Sequence, residues 1–240
     1  MPRLPAWTFS TAAALYLAAL LAVDRFVDLR WQLALGAATF GALFLASRAC
    51  TADERLRVVV VVATATCFEV VGSVLWGVYT YRLGNLPLFV PPAHGLVYLT
   101  GLAISRTELV RRRPAPFVAG VIAFACGWAA VGLSGVLGRT DALGAFGVLF
   151  FTCVLLRSGA PTVLAGVFVV VAALELYGTA LGAWTWAPVV PGLGVPNGNP
   201  PSGAASGYVL FEVAAFAAAP WLGARLLWRR REARGAACGA

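Results

Sequence analysis

Two glutamates, Glu69 and Glu175, stand inside apolar stretches in closely matching contexts. The first context reads F-E-V-V-G-S-V-L-W-G-V-Y-T-Y-R-L-G-N-L-P-L-F-V-P-P-A-H-G, from Phe68 to Gly95. The second reads L-E-L-Y-G-T-A-L-G-A-W-T-W-A-P-V-V-P-G-L-G-V-P-N-G-N-P-P-S-G, from Leu174 to Gly203. Each runs from Glu to a Gly three residues on, then an aromatic-Thr-aromatic triplet, then a Pro/Gly-rich loop ending near Pro-Pro. Placing a charged side chain at bilayer depth costs about 2.5–3.5 kcal/mol. Two carboxyl groups in one repeated setting therefore point to a single site built from both halves of a duplicated chain.

Burial in hydrocarbon favours the protonated form of a carboxyl group, which can then act as a general acid. Aromatic ring faces stabilise a cation formed beside it. On an α-helix, Glu69, Gly72, Trp76 and Tyr79 fall on one stripe, and Glu175, Gly178 and Gly182 repeat it toward Thr185 and Trp186. His94 and Tyr98 stand four apart, as do Tyr208 and Glu212. The expected acid–base groups are thus Glu69, Glu175, His94 and Glu212. The expected lining rings are Trp76, Tyr79, Tyr81, Tyr98, Trp184, Trp186 and Tyr208, and Asn197, Asn199, Ser202 or His94 would position water.

Structural readings compete with each assignment. Buried glutamates also serve as interhelical hydrogen-bonding groups, and Tyr and Trp also gather at membrane interfaces. A single histidine also packs without a chemical role, and Pro-Pro pairs also start helices.

The elements that must hold these groups are membrane helices. Hydrophobic residues make up 60% of the chain and charged residues 12%, against about 25% charged in soluble domains. Eight apolar segments approach the roughly 20 residues that cross a bilayer: Ala6–Val23, Trp31–Ser47, Val58–Tyr81, Leu88–Ser105, Pro116–Leu137, Ala142–Leu156, Pro161–Trp186 and Gly203–Trp228. The first is read as a span rather than a signal peptide, because Asp24-Arg25 follows it directly without a small-residue cleavage site. The expected fold is an all-α polytopic transmembrane bundle, one domain over 1–240. Its halves, about 1–113 and 114–240, form a 4+4 parallel duplication, because an offset of four spans preserves orientation.

All 18 basic residues are arginine. The absence of lysine excludes a retinal Schiff base, a pyridoxal-phosphate lysine and a P-loop. If the N-terminus is cytoplasmic, Arg25, Arg30, Arg82 and Arg139 alone fall on the far side, so both termini are placed in the cytoplasm of a plasma membrane. The basic tail, Arg229–Arg231, suits anionic lipid rather than nucleic acid. The five cysteines are scattered and the single histidine cannot form a metal site alone, so neither metal nor cofactor is expected. The loops Leu83–Pro87 and Ala187–Pro201 lie at the extracytoplasmic face, above an expected cavity.

Two blocks carry a family resemblance. One is Glu69-x-x-Gly72, Gly77-x-Tyr79-x-Tyr81, then Pro87 and Pro91; the other is Trp184-x-Trp186, Gly194-Val195-Pro196, then Asn197 or Asn199. In these the chain resembles the carotenoid biosynthesis protein family, whose members include hydratases of the bisanhydrobacterioruberin hydratase type. His94-Gly95 and Ser202-Gly203 stand where that family favours tryptophan. The resemblance implies an isoprenoid or carotenoid substrate, protonated at a trisubstituted double bond and captured by water. Glu69 would be the acid and Glu175 its partner, with exchanged roles left open. A terpene cyclase or isomerase would use the same acid, and a lipid or polyprenyl carrier would use the same cavity without chemistry.

Overall fold

The computed structural model describes residues 5–218 and Trp221. The end of the eighth expected segment and Arg229–Arg231 lie outside the described residues. The chain folds as successive helices: α1 (Ala6–Asp24), α2 (Leu29–Ser47), α3 (Ala52–Glu69), α4 (Val90–Ser105), the short α5 (Glu108–Arg112), α6 (Pro114–Leu133), α7 (Ala142–Arg157), α8 (Pro161–Leu181) and α9 (Ala204–Ala218). Two three-residue strands, β1 (Tyr79–Tyr81) and β2 (Trp184–Trp186), are the sheet among the described residues.

Local chemistry sets the helix starts. Thr51 and Glu54 form a reciprocal capping box at α3, while Asp28 and Asp141 accept from Trp31 N and Gly144 N to cap α2 and α7. Prolines occupy the first turns of α4, α6 and α8, where a missing N–H is harmless.

Five helical stretches are long and apolar enough to cross a membrane: Ala6–Asp24, Leu29–Ser47, Ala52–Leu75, Pro114–Leu133 and Pro161–Leu181. Their outward faces carry exposed apolar side chains such as Leu15, Phe40, Phe44, Val59, Phe124 and Val169. This surface suits lipid rather than water, so the protein is an all-α membrane protein.

The core is organised around α4, which packs on α1, α2, α3 and α8. Its crossing with α8 is backbone against backbone. A Cβ on Gly101 would meet Val167 N at 2.6 Å, and one on Gly166 would meet Gly101 O at 2.6 Å. Small residues permit this approach, and dispersion across it holds the pair together.

The third and seventh expected segments end differently from the sequence expectation. Val58–Tyr81 is not one helix: α3 stops at Glu69, continues as a π-helical turn (Val70–Leu75), and then reverses into β1. Pro161–Trp186 likewise stops at Leu181 before β2. Gly77 (φ 73°) and Gly182 (φ 72°) make the two reversals, each two residues before its aromatic triplet. A residue with a Cβ is disfavoured at such angles. Gly182 is therefore a helix C-cap and not a member of a packing stripe.

The triplets pair antiparallel, Tyr79 with Trp186, Thr80 with Thr185, and Tyr81 with Trp184. Arg82 N donates to Ala183 O and Ala187 N to Val78 O, both at 2.9 Å, extending the ladder symmetrically on either side. The pairing thus centres on the two threonines. Strand alternation turns Thr80 and Thr185 outward and all four rings to the same face.

Candidate active site

The four strand rings roof a cavity of about 320 Å³, walled by α1, α4, α9 and the ends of α3 and α8. Tyr79 and Trp186 approach to 4.5 Å between ring centroids, and Tyr81 and Trp184 to 6.2 Å. Beneath them, Glu69, Glu175 and His94 all face this one space. Most of the remaining lining is apolar, including Leu17, Leu20, Leu21, Phe89 and Val97.

Each glutamate is held by the triplet of its own segment. Tyr79 and Tyr81 both donate their hydroxyls to Glu69 Oε2 at 2.7 Å. Trp184 and Trp186 both donate their indole N–H groups to Glu175 Oε2 at 3.0 Å. Alternate residues of a strand share a face, so one carboxylate oxygen receives two aromatic donors. Tyr79 therefore meets Glu69 because the chain turns back, and not through the helical stripe expected from sequence.

The glycine three residues after each glutamate now has a physical purpose. A Cβ on Gly178 would sit within 2.6 Å of three ring atoms of Trp184, and one on Gly72 would lie 3.1 Å from Tyr79 Cε1. The ring that bonds the carboxyl group lies across the glycine one turn later.

His94 is buried on α4. Its Nδ1 lies 2.8 Å from Val90 O, a carbonyl that can only accept, so Nδ1 carries hydrogen. Nε2 faces Glu69 Oε1 at 3.3 Å, off the axis of a good hydrogen bond. With Oε2 filled by two phenol donors, a proton on Glu69 belongs on Oε1, against His94. Tyr208 of α9 stacks on His94 with centroids 4.9 Å apart and planes 16° apart, and it also lines the cavity.

Five expected site residues stand elsewhere. Tyr98 is buried in the core one turn beyond His94 and does not line the cavity. Glu212 is also off the cavity; it is buried, and neither carboxyl oxygen has a hydrogen-bond partner among the described residues. Their immediate neighbours Val97 and Phe211 do line the cavity, so both residues stand at its level but on another side of their helices, since successive helical residues point about 100° apart. Asn197 donates to Ala187 O, and Asn199 Oδ1 accepts from Trp186 N. They brace the loop above the roof, as does Ser202, and none of the three reaches the cavity to position water. Trp76 does line it, near the opening, with its N–H donated to Pro191 O at 2.8 Å.

Two buried aspartates, neither singled out in the sequence, anchor the roof. Asp141 accepts from Gly144 N and Gly198 N at 3.0 Å and from Ser202 N and Oγ at 2.7 Å. Asp24 accepts from Gln32 Nε2 at 2.8 Å, and Gln32 Oε1 in turn accepts from Asn85. Arg82 donates to the carbonyls of Asp24 and Val27, and Arg139 to Trp186 O at 2.8 Å. The available signal was that Arg82 and Arg139 are among the few arginines on the loop side, where a charge bias would leave none.

No protein-family model, curated protein or solved structure matches this chain. Among the described residues no cluster of three or more His, Cys, Asp or Glu could hold a metal ion.

Proposed function

We propose that this protein is an integral membrane enzyme that protonates a carbon–carbon double bond of an isoprenoid or carotenoid and adds water to it. The observation that carries this reading is the pair of glutamates facing one apolar cavity beneath four aromatic rings. Glu69 is the acid, because its neighbours Tyr79, Tyr81 and His94 can both give and take protons, so its proton can be replaced after each turnover. Glu175 is bonded by indole groups that only donate. It accepts the proton released when water attacks the tertiary cation, and its charge stabilises that cation. Rings of Tyr79, Tyr81, Trp184 and Trp186 add cation–π attraction, about 2 kcal/mol or more each when desolvated. The alkene gains one hydrogen and one hydroxyl; the proton left on Glu175 returns to Glu69 through water in the cavity before the next turnover, which restores both carboxyl groups.

Cyclisation is the second reading. It is favoured by the withdrawal of Asn197, Asn199 and Ser202 from the cavity, which leaves few groups to hold water. Lipids extracted from cells with and without the protein separate the two. A product heavier by one water supports hydration, a product of unchanged mass supports cyclisation or isomerisation, and no change in any lipid refutes both.

We place this site in an eight-span bundle with both termini cytoplasmic, formed by two four-helix halves about an axis normal to the membrane. Three equivalences support this arrangement. The strand register is symmetric about Thr80 and Thr185, each glutamate takes two donors from its own triplet, and His94 and Tyr208 stack as fifth residues of α4 and α9.

A further inference from the structure

We infer that the cavity is filled from the side, out of the bilayer, through a mouth between the end of α3 and α9. Its occupant is an apolar chain too long to fit, so its tail stays in lipid. The substrate's chemistry rests on the reading above; the access route rests on the geometry that follows.

Three cavity-lining residues are also substantially exposed on the outer surface: Phe68 at 47%, Val71 at 48% and Trp76 at 46%. They lie along the π-helical turn and its flanks. Opposite them, Gly207, Tyr208 and Phe211 of α9 line the same cavity. The rings of Phe68 and Phe211, with centroids 5.2 Å apart and planes tilted by 58°, close one end of the mouth. The hydrogen bond from Trp76 to Pro191 O closes the other. Gly207 lines the cavity from α9, and a Cβ built on it would meet nothing within 4 Å. A gap therefore exists at a position where an ordinary residue would begin to fill it.

The surroundings identify what passes. The exposed neighbours of the mouth are Val70, Val74, Leu75, Leu210 and Val213, and neither segment carries a charged side chain at the rim. A water-soluble substrate would gain nothing there, whereas a hydrocarbon chain would exchange lipid for lipid-like contacts. The cavity equals roughly ten liquid-water volumes, enough for the reacting end of a polyisoprenoid and not for its whole length. The π-helical turn fits this role. An extra residue in the turn pushes the helix wall outward directly after Glu69, and such turns are frequent at functional sites.

The test uses the full-length protein in phospholipid discs, with the methyl ester of a conjugated-tetraene fatty acid as probe and energy transfer from tryptophan as readout. The parental protein should give saturable sensitised emission, displaced by squalene in the disc and not by a short water-soluble prenyl alcohol. Gly207→Leu and Val71→Phe, which plug the mouth from opposite walls, should each weaken binding about tenfold or more, while Gly207→Ala should not. The inference is overturned if monodisperse plug variants bind like the parent, or if only the water-soluble alcohol displaces the probe. Normal turnover in the plugged variants would refute the mouth and leave the chemistry standing. Probe binding that both plugs abolish, with no altered lipid in the parent, would support the mouth and refute the chemistry.

Discussion

Adding one methyl group at Gly178 should damage the protein far more than the same change at Gly72, although both occupy the same place in the repeated motif. At Gly178 the new Cβ falls within 2.6 Å of three ring atoms of Trp184, so the indole must move by most of an ångström or more. Forced overpacking of this kind costs about 1–3 kcal/mol. The displaced ring also withdraws its N–H from Glu175 Oε2, and a hydrogen bond to a charged group contributes about 1.5–3 kcal/mol. Together the expected loss for Gly178→Ala is about 2.5–6 kcal/mol. At Gly72 the nearest ring atom would lie 3.1 Å away, and Tyr79 can yield by a few tenths of an ångström. Gly72→Ala should therefore lose under about 1 kcal/mol. Thermal unfolding in one detergent, followed by tryptophan emission, compares the two variants with Gly207→Ala, where a Cβ meets open space. Equal midpoints for the two motif variants would mean that the glycine does not seat the ring that holds the carboxyl group.

Glu69→Gln keeps the shape of the side chain but removes the transferable proton, so turnover should fall by about 10² to 10⁴ or more while the protein still inserts and binds probe. A variant that turns over at the parental rate would make Glu69 structural. Trp186→Leu should slow the reaction less, because one ring is part of a set of four; a loss as large as that of Glu69→Gln would contradict the shared-cation picture. Asp141→Asn cannot satisfy all four donors that converge on the carboxylate, and should lower stability by about 2 kcal/mol or more, read as a lower thermal midpoint. Reporter fusions at Arg112 and Gly198 should lie on opposite sides of the membrane; the same side for both would refute the eight-span topology.

The glutamates, the glycines and the aromatic triplets were legible because each leaves a local mark: a carboxyl in an apolar run, a small residue at a fixed spacing, a repeated short pattern. Their mutual geometry was not. A helical stripe through Glu69, Gly72, Trp76 and Tyr79 is a sound reading of spacing, and it reaches Tyr79 by the wrong path. Ten residues along a continuous helix would carry Tyr79 about 15 Å from Glu69. The reversal at Gly77 instead folds its hydroxyl to within 2.7 Å. A single glycine with positive φ decided this, and nothing in the apolar periodicity marks it. The strand pairing was hidden for a related reason. Three-residue strands give too little alternation to see, and Tyr79–Tyr81 finds its partner more than 100 residues away. Asp24 and Asp141 were missed because a lone aspartate at a helix end ordinarily reads as a cap or a solvated flank. Only the converging backbone N–H groups reveal the second function of Asp141.

The two carboxyl groups are held with the same geometry by donors of different chemistry, and in the proposed reaction that difference would give proton flow a direction. Phenol hydroxyls at Tyr79 and Tyr81 donate to Glu69 but can also accept, and His94 stands at the other oxygen with its second ring nitrogen facing it. Indole N–H groups at Trp184 and Trp186 hold Glu175 in place and can do nothing else. In the α9 position equivalent to His94 stands Tyr208, which stacks on the histidine instead of approaching a glutamate as a base. A symmetric site would offer a substrate two equal acids and no preferred direction for proton flow. Replacing Trp184 and Trp186 by tyrosine should therefore keep both donors to Glu175 while giving that half proton-exchanging partners. If fixed donors are what separate the two roles, the double variant should fold, lose the asymmetry and tolerate Glu69→Gln better than the parent does. If Glu69→Gln is as damaging in that background as in the parent, donor type does not assign the acid, and the distinction lies with His94 alone.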